Sequence, residues 1–343
     1  MVFLRALALF ALLTSSVSAL AVTEAGNRTL ETLAGTFTNP LNQQRGADPC
    51  MRFINGNYYL TSTQNSNIQM KSATTIEGLK SAASKVIFSD STAGRNFDFW
   101  APEFWYLDGT WHLYYSVAGN GDDATHRLHV ARGGTNANDP SAGAYSYVGS
   151  LIPPNLSTQW AADGSILEVG GSRYLIFSSF QGSNQCLFIV RMTSPTTITG
   201  NAVVISCPTL TWEKSGSPVQ EGPEAITING VTHIVYSASF CGTDDYALGI
   251  LTLSSGADPM SASSWVKSSN PLFSKDPSVG VYGPGHHFMF QKGSAWYFAY
   301  HAKSATNQGC GNTRTTRVQP FSTSGNNPVF PKPLGTGVAI NEP

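Results

Sequence analysis

Charged side chains are scarce in this chain of 343 residues, where 20 Lys and Arg and 21 Asp and Glu together make up 12% of the sequence. That share is about half of what a typical globular protein carries. The formal net charge of -1 gives neither nucleic acid nor an anionic membrane an electrostatic reason to bind. We expect no partner of either kind, and we expect the protein to be a monomer.

Helical periodicity and C-x-x-C motifs are also missing. The first absence favours an all-β chain, and the spacings of the five cysteines suit no zinc site. Cys186 and Cys207 bracket two β-rich runs, so a disulfide could close that hairpin. Cys241 and Cys310 stand at similar places in successive repeats and form a second candidate pair. Cys50 would then be the odd, buried thiol.

Long apolar runs are absent except at the N-terminus, which reads "MVFLRALALFALLTSSVSALA". A small positive region, an apolar core and small residues before a cleavage site are typical of a secretory signal, too short to span a membrane. We expect a signal peptide over residues 1–21, cleaved after Ala19 or Ala21, and a single domain over residues 22–343. The protein should therefore be secreted, and two N-glycosylation sequons agree with that route.

One pattern is present five times. Each copy has an acidic residue or Gly near a Pro or Gly, then an apolar strand, a turn dipeptide such as Asn-Gly or Asp-Gly, and a second strand rich in aromatics. Such dipeptides between apolar runs are strong hairpin signals. The five segments are "ADPCMRFINGNYYLTST", "APEFWYLDGTWHLYYSV", "ADGSILEVGGSRYLIFSS", "EGPEAITINGVTHIVYSAS" and "GPGHHFMFQKGSAWYFAYHA".

The repeats start 53 to 62 residues apart, and each is followed by material for two more strands. A period of this size with a few strands per unit indicates the blades of a β-propeller. We predict an all-β fold with five blades over residues 48–319, closed by a tail that returns beside the first blade. Because the first strand of every blade lines the central channel, the residues at its start should converge. These residues are Asp48, Glu103, Asp163, Glu221 and His286.

Two carboxyl groups on either side of a sugar suffice for glycoside hydrolysis, one as acid and one as base. A third carboxylate nearby raises the pKa of the acid, because like charges resist joint ionisation. Glu224 and Glu213 are rivals of Glu221 for the acid, but strand alternation puts Glu224 on a different face. We therefore favour Glu221.

At these residues the chain resembles glycoside hydrolase family 43, whose members are five-bladed propellers acting on polysaccharides that contain arabinose or xylose. The matching motifs are Ala47-Asp-Pro49, Asp98-Phe-Trp-Ala-Pro-Glu103, Asp163-Gly, Glu221-Gly-Pro223 and Gly283-Pro-Gly-His286. They occur in the order of the family and cover nearly the whole mature chain. Each alone is weak, but together they are specific.

The resemblance implies a role for each matching residue. Asp48 would be the general base, Glu221 the general acid and Asp163 the residue that modulates the pKa of the acid, in an inverting reaction. No cofactor would be needed for the chemistry. His286 would hold a structural calcium ion or a water molecule on the axis. Further residues expected to support the site or bind substrate are Trp100, Asp98, Glu103, His287 and Arg317. Arg314 and Arg317 could both contact sugar hydroxyls, and structural pairing is the alternative for both.

Within the family, "YSASFCGTDDYALGIL" and "VYGPGHHFMF" look most like the exo-acting α-L-arabinofuranosidases. The resemblance therefore implies release of terminal arabinofuranose from arabinan or arabinoxylan of the plant cell wall. Endo-arabinanase and β-xylosidase, which share the catalytic trio, are the alternatives within the family. A sugar-binding propeller without catalysis is the alternative from another class, but it would repeat identical sites, whereas the axial residues here differ from blade to blade.

Overall fold

The computed structural model describes residues 35–343, so the predicted signal peptide lies outside the described residues. Within them, five short 3-10 turns interrupt an otherwise all-β chain, at Glu77–Lys80, Pro154–Leu156, Thr211–Glu213, Ala262–Ser264 and Pro277–Val279. The strands are β1 Thr36–Thr38, β2 Cys50–Ile54, β3 Asn57–Thr61, β4 Ile68–Ala73, β5 Lys85–Phe88, β6 Phe97–Leu107, β7 Thr110–Gly119, β8 Asp122–Arg132, β9 Ser146–Ser150, β10 Ala161–Val169, β11 Ser172–Gln181, β12 Asn184–Ser194, β13 Thr197–Ser206, β14 Gln220–Ile228, β15 Val231–Ala238, β16 Ala247–Leu253, β17 Trp265–Lys267, β18 Tyr282–Lys292, β19 Ala295–Lys303, β20 Thr315–Ser324, β21 Asn327–Val329 and β22 Ala339–Asn341.

Consecutive strands pair into five four-stranded antiparallel sheets, which are the blades 1 to 5. Blade 1 comprises β2–β5, blade 2 β6–β9, blade 3 β10–β13, blade 4 β14–β17 and blade 5 β18–β21. In each blade, the first and second strands are the two runs of the sequence repeat. The prediction of an all-β, five-bladed propeller is therefore confirmed.

The turn dipeptides explain why each blade begins with a tight hairpin. A two-residue type I′ turn needs positive φ at both central residues, which Gly and Asn adopt readily and other residues rarely do. In four blades both residues of the dipeptide have positive φ, at Asn55-Gly56, Asp108-Gly109, Gly170-Gly171 and Asn229-Gly230. The first two strands of these blades are therefore held in a fixed register.

The apolar core is divided among the interfaces between adjacent blades. Five clusters of buried residues fill the five interfaces. Between blades 2 and 3, for example, Leu128 and Val130 pack with Phe177 and Phe188. Because the core lies between the blades, the inner edges of the first strands are left to line the channel with polar groups.

The two ends of the described chain close the ring. Strand β1 pairs with β22, and the carboxylate of Glu342 accepts hydrogen bonds from the amides of Ile76 and Glu77 in blade 1, at 2.9 and 2.8 Å. The chain therefore does return to the first blade, but through residues 339–342 and not through the segment directly after Gln319, where the sequence predicts the return, because the residues up to Val329 complete blade 5. The fifth blade, however, does not end at Gln319 but runs to Val329, because β21 adds its outer strand.

Two disulfides join Cys186 to Cys207 and Cys241 to Cys310, and Cys50 is a buried free thiol. The three cysteine predictions are therefore confirmed. Within residues 35–343, no helix has the length and apolarity that crossing a bilayer requires.

The two sequons differ in what the structure describes. Asn155 is exposed, with its side-chain amide bonded to the main chain of Ala202, and Asn27 lies outside the described residues. Glycosylation stays a prediction at both positions.

Candidate active site

The predicted site residues stand where the first strand of a blade is irregular. The pairing of β10 shifts between Ala162 and Ser165, and that of β14 shifts between Glu221 and Glu224. Bulges of this kind turn a side chain away from the regular pleat and occur often at active sites. The sequence provides suitable residues for such bulges, since Asp tolerates the left-handed region of φ and ψ better than most residues.

Positive φ values mark the same positions. Asp48, Asp163 and His286 have φ of 55°, 60° and 46°. A non-glycine residue in this conformation costs about 1–3 kcal/mol and persists only when its surroundings hold it there. Three left-handed residues at the start of three first strands therefore indicate a site whose geometry is maintained at the expense of stability.

Direct contacts link blades 1, 3, 4 and 5 at this level of the channel. His286 Nδ1 of blade 5 lies 3.2 Å from Asp48 Oδ1, immediately before blade 1. Asp163 Oδ2 of blade 3 accepts a hydrogen bond from the Gly222 amide of blade 4 at 3.1 Å. A Cβ on Gly222 would stand 3.2 Å from the His286 ring, so the glycine lets blades 4 and 5 approach. Asp48, Asp163 and Glu221 are thus brought close enough together for each charge to act on the pKa of a neighbour.

Asp48 is buried among polar and charged side chains, and its amide donates a hydrogen bond to His301 Nδ1 at 3.2 Å. Its Oδ2 accepts a hydrogen bond from Thr63 Oγ1 at 2.5 Å, and Arg314 Nη1 lies 3.4 Å from its Oδ1. His301 Nδ1 is 3.3 Å from the same oxygen. Burial alone would raise the pKa of Asp48, but His286, Arg314 and His301 together hold it well below its usual range. Asp48 is therefore ionised throughout the neutral range.

Glu221 has the opposite electrostatic environment. Both oxygens of its carboxyl group are held, Oε1 by the hydroxyl of Tyr246 and Oε2 by Nε2 of Gln185, each at 2.8 Å. Burial and the neighbouring charge of Asp163 raise the pKa of Glu221 to about 7, although His286 and the Tyr246 hydrogen bond oppose the rise. At neutral pH, Glu221 therefore keeps a proton in a large share of the molecules.

Asp163 is buried between blades 2 and 4. Its own amide donates to Ser116 Oγ at 3.1 Å, and its carboxylate faces the amide of Gly222. Burial and the charge of Asp48 raise the pKa of Asp163 to about 7, with the Gly222 hydrogen bond acting in the opposite direction. Its charge in turn raises the pKa of Glu221, which is the effect predicted for a third carboxylate.

Sequence reasoning missed four residues of this site, namely Thr63, Gln185, Tyr246 and His301. For a fifth, Arg314, it predicted a sugar contact or structural pairing without naming Asp48 as the partner. Tyr246 follows the Asp-Asp pair of "CGTDDYALG", and His301 ends the aromatic strand of the fifth repeat, so both stand at repeat positions that could have been compared. Gln185 and Thr63 carry no such signal. The partners of these two side chains depend on tertiary contacts, which a single sequence does not show.

Trp100 and Asp98 lie on the second blade. The Trp100 ring stacks on the His126 ring with centroids 3.6 Å apart, and His126 Nε2 is 2.9 Å from the carbonyl oxygen of Asp98. Partial burial and the charge of Asp123 raise the pKa of Asp98 to about 6. The stack holds Trp100 rigidly on the strand that leads into the channel, and contact of either residue with a sugar stays a prediction.

Glu103 and His287 lie deeper in the channel. Glu103 Oε2 accepts hydrogen bonds from Trp105 Nε1 and Ser165 Oγ, at 2.7 and 2.8 Å, so it supports the strand that carries Asp163. The side chain of His287 is fully enclosed, with Nε2 3.4 Å from Glu224 Oε2. The prediction that His287 binds substrate is therefore wrong, because the double shift in the pairing of β18 turns His286 towards Asp48 and buries His287.

Arg317 is also misassigned by the sequence. Its side chain is completely buried and bonds Thr315 Oγ1, Ser304 Oγ and the carbonyl oxygen of Lys303. No sugar can reach it there, so its predicted contact with substrate is wrong. Arg314, three residues earlier and outside the regular strand, is the arginine that reaches Asp48.

The two rivals of Glu221 are fully engaged elsewhere. Glu224 is buried against blade 5, where its Oε2 accepts the amide of Met289 at 2.6 Å. Glu213 is fully enclosed and bonds the amides of Thr209 and Leu210, the Tyr236 hydroxyl, Gln220 Nε2 and Lys267 Nζ. Its role is therefore to hold the loop before β14 in place.

Replacing Glu213 with alanine should lower the free energy of unfolding by about 3 kcal/mol at pH 7, because Lys267 and several donors lose a buried charged partner. Burial opposes ionisation, but hydrogen bonds and Lys267 hold the pKa of Glu213 below its usual value. The stabilisation is therefore present above the unfolded pKa and is lost as pH falls through the folded one. Urea unfolding at pH 7 and pH 3 measures the loss of stability and its dependence on pH, with Glu213→Gln as the isosteric control. A loss of equal size at the two pH values would contradict this.

No group of three or more His, Cys, Asp or Glu side chains within residues 35–343 is arranged to hold a metal ion. Calcium takes six to eight oxygen ligands, whereas His286 offers a nitrogen that already faces Asp48. These side chains do not fit a calcium ion held by the protein. The calcium expected at His286 stays a prediction without support from the described residues.

The arrangement brings together a carboxylate that is ionised, just before blade 1, and one that retains a proton, on blade 4. Such a pair can give a proton to a departing oxygen and remove a proton from a water molecule. The polar rings and amides around it fix the position of each carboxyl group. The opposed protonation states thus fit acid–base hydrolysis with Asp48 as the base and Glu221 as the acid.

Comparison with known proteins agrees with this chemistry. The model of the family "Glycosyl hydrolases family 43" matches residues 37–327. Two curated relatives are the extracellular exo-α-(1→5)-L-arabinofuranosidase of Streptomyces avermitilis, 33% identical over 88% of this chain, and α-L-arabinofuranosidase 43 of Humicola insolens, 35% identical over 74% of it. The chain spans 65% and 53% of the lengths of these two proteins.

A solved structure is similar over nearly its full length. The α-L-arabinofuranosidase of Lactobacillus brevis superposes with a TM-score of 0.80 at 28% identity, covering 88% of this chain and 98% of that one. The blades, their order and their closure are therefore shared with an experimentally determined propeller.

Proposed function

The chain belongs to glycoside hydrolase family 43, and from this premise we propose that it is a secreted, inverting α-L-arabinofuranosidase. It releases terminal L-arabinofuranose from arabinan or arabinoxylan of the plant cell wall. The observation that carries the proposal is the convergence of Asp48, Asp163 and Glu221 through contacts between blades, with the pKa of Asp48 lowered and that of Glu221 raised. Both relatives are named as arabinofuranosidases, which supports the sugar, and the Streptomyces avermitilis enzyme is named as extracellular, which supports the location.

In the proposed reaction, Asp48 is the general base. Its carboxylate takes a proton from a water molecule, which attacks the anomeric carbon from the face opposite the leaving oxygen. Thr63 orients one oxygen of Asp48, and Arg314 and His286 keep the group ionised without protonating it. The anomeric configuration is therefore inverted in a single displacement.

Glu221 is the proposed general acid. Its proton passes to the glycosidic oxygen as the bond to the anomeric carbon breaks, so the leaving sugar departs as a neutral alcohol. Asp163 keeps the acid protonated by its negative charge and positions blade 4 through Gly222. Both products are neutral; afterwards Glu221 recovers a proton from solvent, and Asp48 releases to solvent the proton that it took from water.

The substrate and the mode of action can be tested with three substrates, namely nitrophenyl α-L-arabinofuranoside, nitrophenyl β-D-xyloside and linear arabinan. The proposal expects arabinose from the first and third, with arabinose as the sole early product from arabinan. Early release of longer oligosaccharides would favour an endo-arabinanase, and preference for the xyloside would favour a β-xylosidase. Hydrolysis of none of them would leave the sugar-binding propeller.

The pH dependence of kcat/KM should report the ionisation of Glu221 and the effect of Asp163 on it. Because Glu221 must be protonated and its pKa is about 7, activity on an arabino-oligosaccharide should fall as pH rises through about 7. Replacing Asp163 with asparagine removes the charge that raises this pKa, so the alkaline limb should move to lower pH by about one unit. A limb that stays at the same pH in Asp163→Asn would contradict the assigned role of Asp163.

A further inference from the structure

An aromatic pair stands at the surface of blade 3, close to the proposed acid. Trp160 immediately precedes β10, and its ring centroid lies 5.4 Å from that of Phe180 in β11. Phe180 is 37% exposed, whereas Phe177 and the serines between them are buried. An exposed ring alone is ordinary on a protein surface. Whether this pair has a function therefore depends on where it lies relative to the proposed active site.

The strand register locates the pair relative to Glu221. Phe180 lies directly opposite Gln185 in the pairing of β11 with β12, and directly opposite residues project to the same face of a sheet. Gln185 Nε2 reaches Ser178 Oγ, the diagonal neighbour on that face, and Glu221 Oε2, at 2.9 and 2.8 Å. Phe180 is therefore one strand away from the side chain that holds the proposed acid.

The pair is also fixed in place. Ser179 Oγ donates to the carbonyl oxygen of Trp160 at 2.6 Å, and Arg127 Nη2 donates to the carbonyl oxygen of Thr158 at 2.7 Å. The loop that leads into β10 is thereby tied to blade 2 and to β11. Rings that are already ordered lose little conformational entropy when a ligand packs on them.

The direction of proton transfer indicates which part of a substrate would lie against Trp160 and Phe180. A general acid gives its proton to the oxygen of the leaving group, so the leaving sugar lies on the side of Glu221. The faces of aromatic rings carry negative charge density and pack well against the C–H groups of a sugar ring. We propose that Trp160 and Phe180 form the subsite that binds the leaving sugar of a saccharide chain. This inference rests on the proposed function.

The test compares a substrate that fills the subsite with one that does not. Phe180→Ala and Trp160→Ala should each lower kcat/KM for arabinotriose by about tenfold, the loss of roughly one buried ring contact. The same variants should change kcat/KM for methyl α-L-arabinofuranoside, which has no leaving sugar, by less than about twofold. Phe180→Tyr should restore the wild-type value for arabinotriose, because it keeps the ring.

Tyr106→Ala is the matched control, since Tyr106 is 38% exposed but lies at the opposite end of the first strand of its blade; it should affect neither substrate. An equal loss on both substrates, or no loss on arabinotriose in an active enzyme, would overturn the subsite while leaving the proposed function intact. A wild-type protein that releases arabinose from neither substrate would overturn the proposed function and this inference together.

Discussion

Replacing Asp48 with asparagine is expected to lower kcat for every arabinofuranoside by about 10³- to 10⁴-fold, the upper range for loss of a general base. Asparagine keeps the shape of the side chain and can still accept from Thr63, but it cannot take a proton from water. The loss should not depend on the leaving group, because attack by water is impaired whatever departs. Initial rates on nitrophenyl arabinofuranoside and arabinotriose measure it.

Asp245→Asn is the control for Asp48→Asn. Asp245 is an exposed carboxylate at the rim that pairs with Lys275 at 2.6 Å, and the same chemical change there should leave kcat nearly unaltered. Equal losses in the two variants would mean that removal of an acidic side chain harms the protein in a general way. An Asp48→Asn protein that retains more than about a tenth of the wild-type kcat would remove Asp48 from the mechanism.

Replacing Glu221 with glutamine is expected to reduce hydrolysis of arabinotriose by about 10³-fold, and hydrolysis of nitrophenyl arabinofuranoside by far less. The difference arises because a sugar alkoxide needs a proton to leave, whereas nitrophenolate departs without one. Gln185 and Tyr246 still have an amide to bond, so the fold should be kept. The ratio of the two rates, rather than either alone, identifies the acid.

The matched control is Glu168→Gln, since Glu168 pairs with Arg173 at an exposed position and should change neither rate. The Glu221→Gln protein should still bind arabinotriose, as measured by calorimetry. If both substrates lost activity equally, Glu221 would not be the acid. If wild type and Glu221→Gln both bound the sugar and neither hydrolysed it, the chain would be a sugar-binding propeller.

Much of the fold follows from local sequence. Asn-Gly, Asp-Gly and Gly-Gly fix tight hairpins in four blades because few other pairs adopt positive φ twice in succession. These four and the hairpin at Lys292-Gly293, at a steady period, leave few architectures other than a propeller. Cys186 and Cys207 likewise flank adjacent strands, so their disulfide could be read from spacing. The sequence places the end of the fifth blade too early, at Gln319, because the short strand Asn327–Val329 has no periodic signal of its own.

The sequence by itself determined that Asp48, Asp163 and Glu221 stand at equivalent places in three blades, because a repeated unit brings its equivalent positions to one axis. Only the tertiary structure decided which neighbours complete the site. Bulges in the first strands break the alternation of side chains, so counting along the chain could not show that His286 rather than His287 faces Asp48. Arg314 rather than Arg317 reaches Asp48 because Arg314 lies just before β20, whereas Arg317 is buried within that strand. Gln185, Tyr246 and His301 act across strands or blades, and such contacts depend on packing rather than on any local pattern.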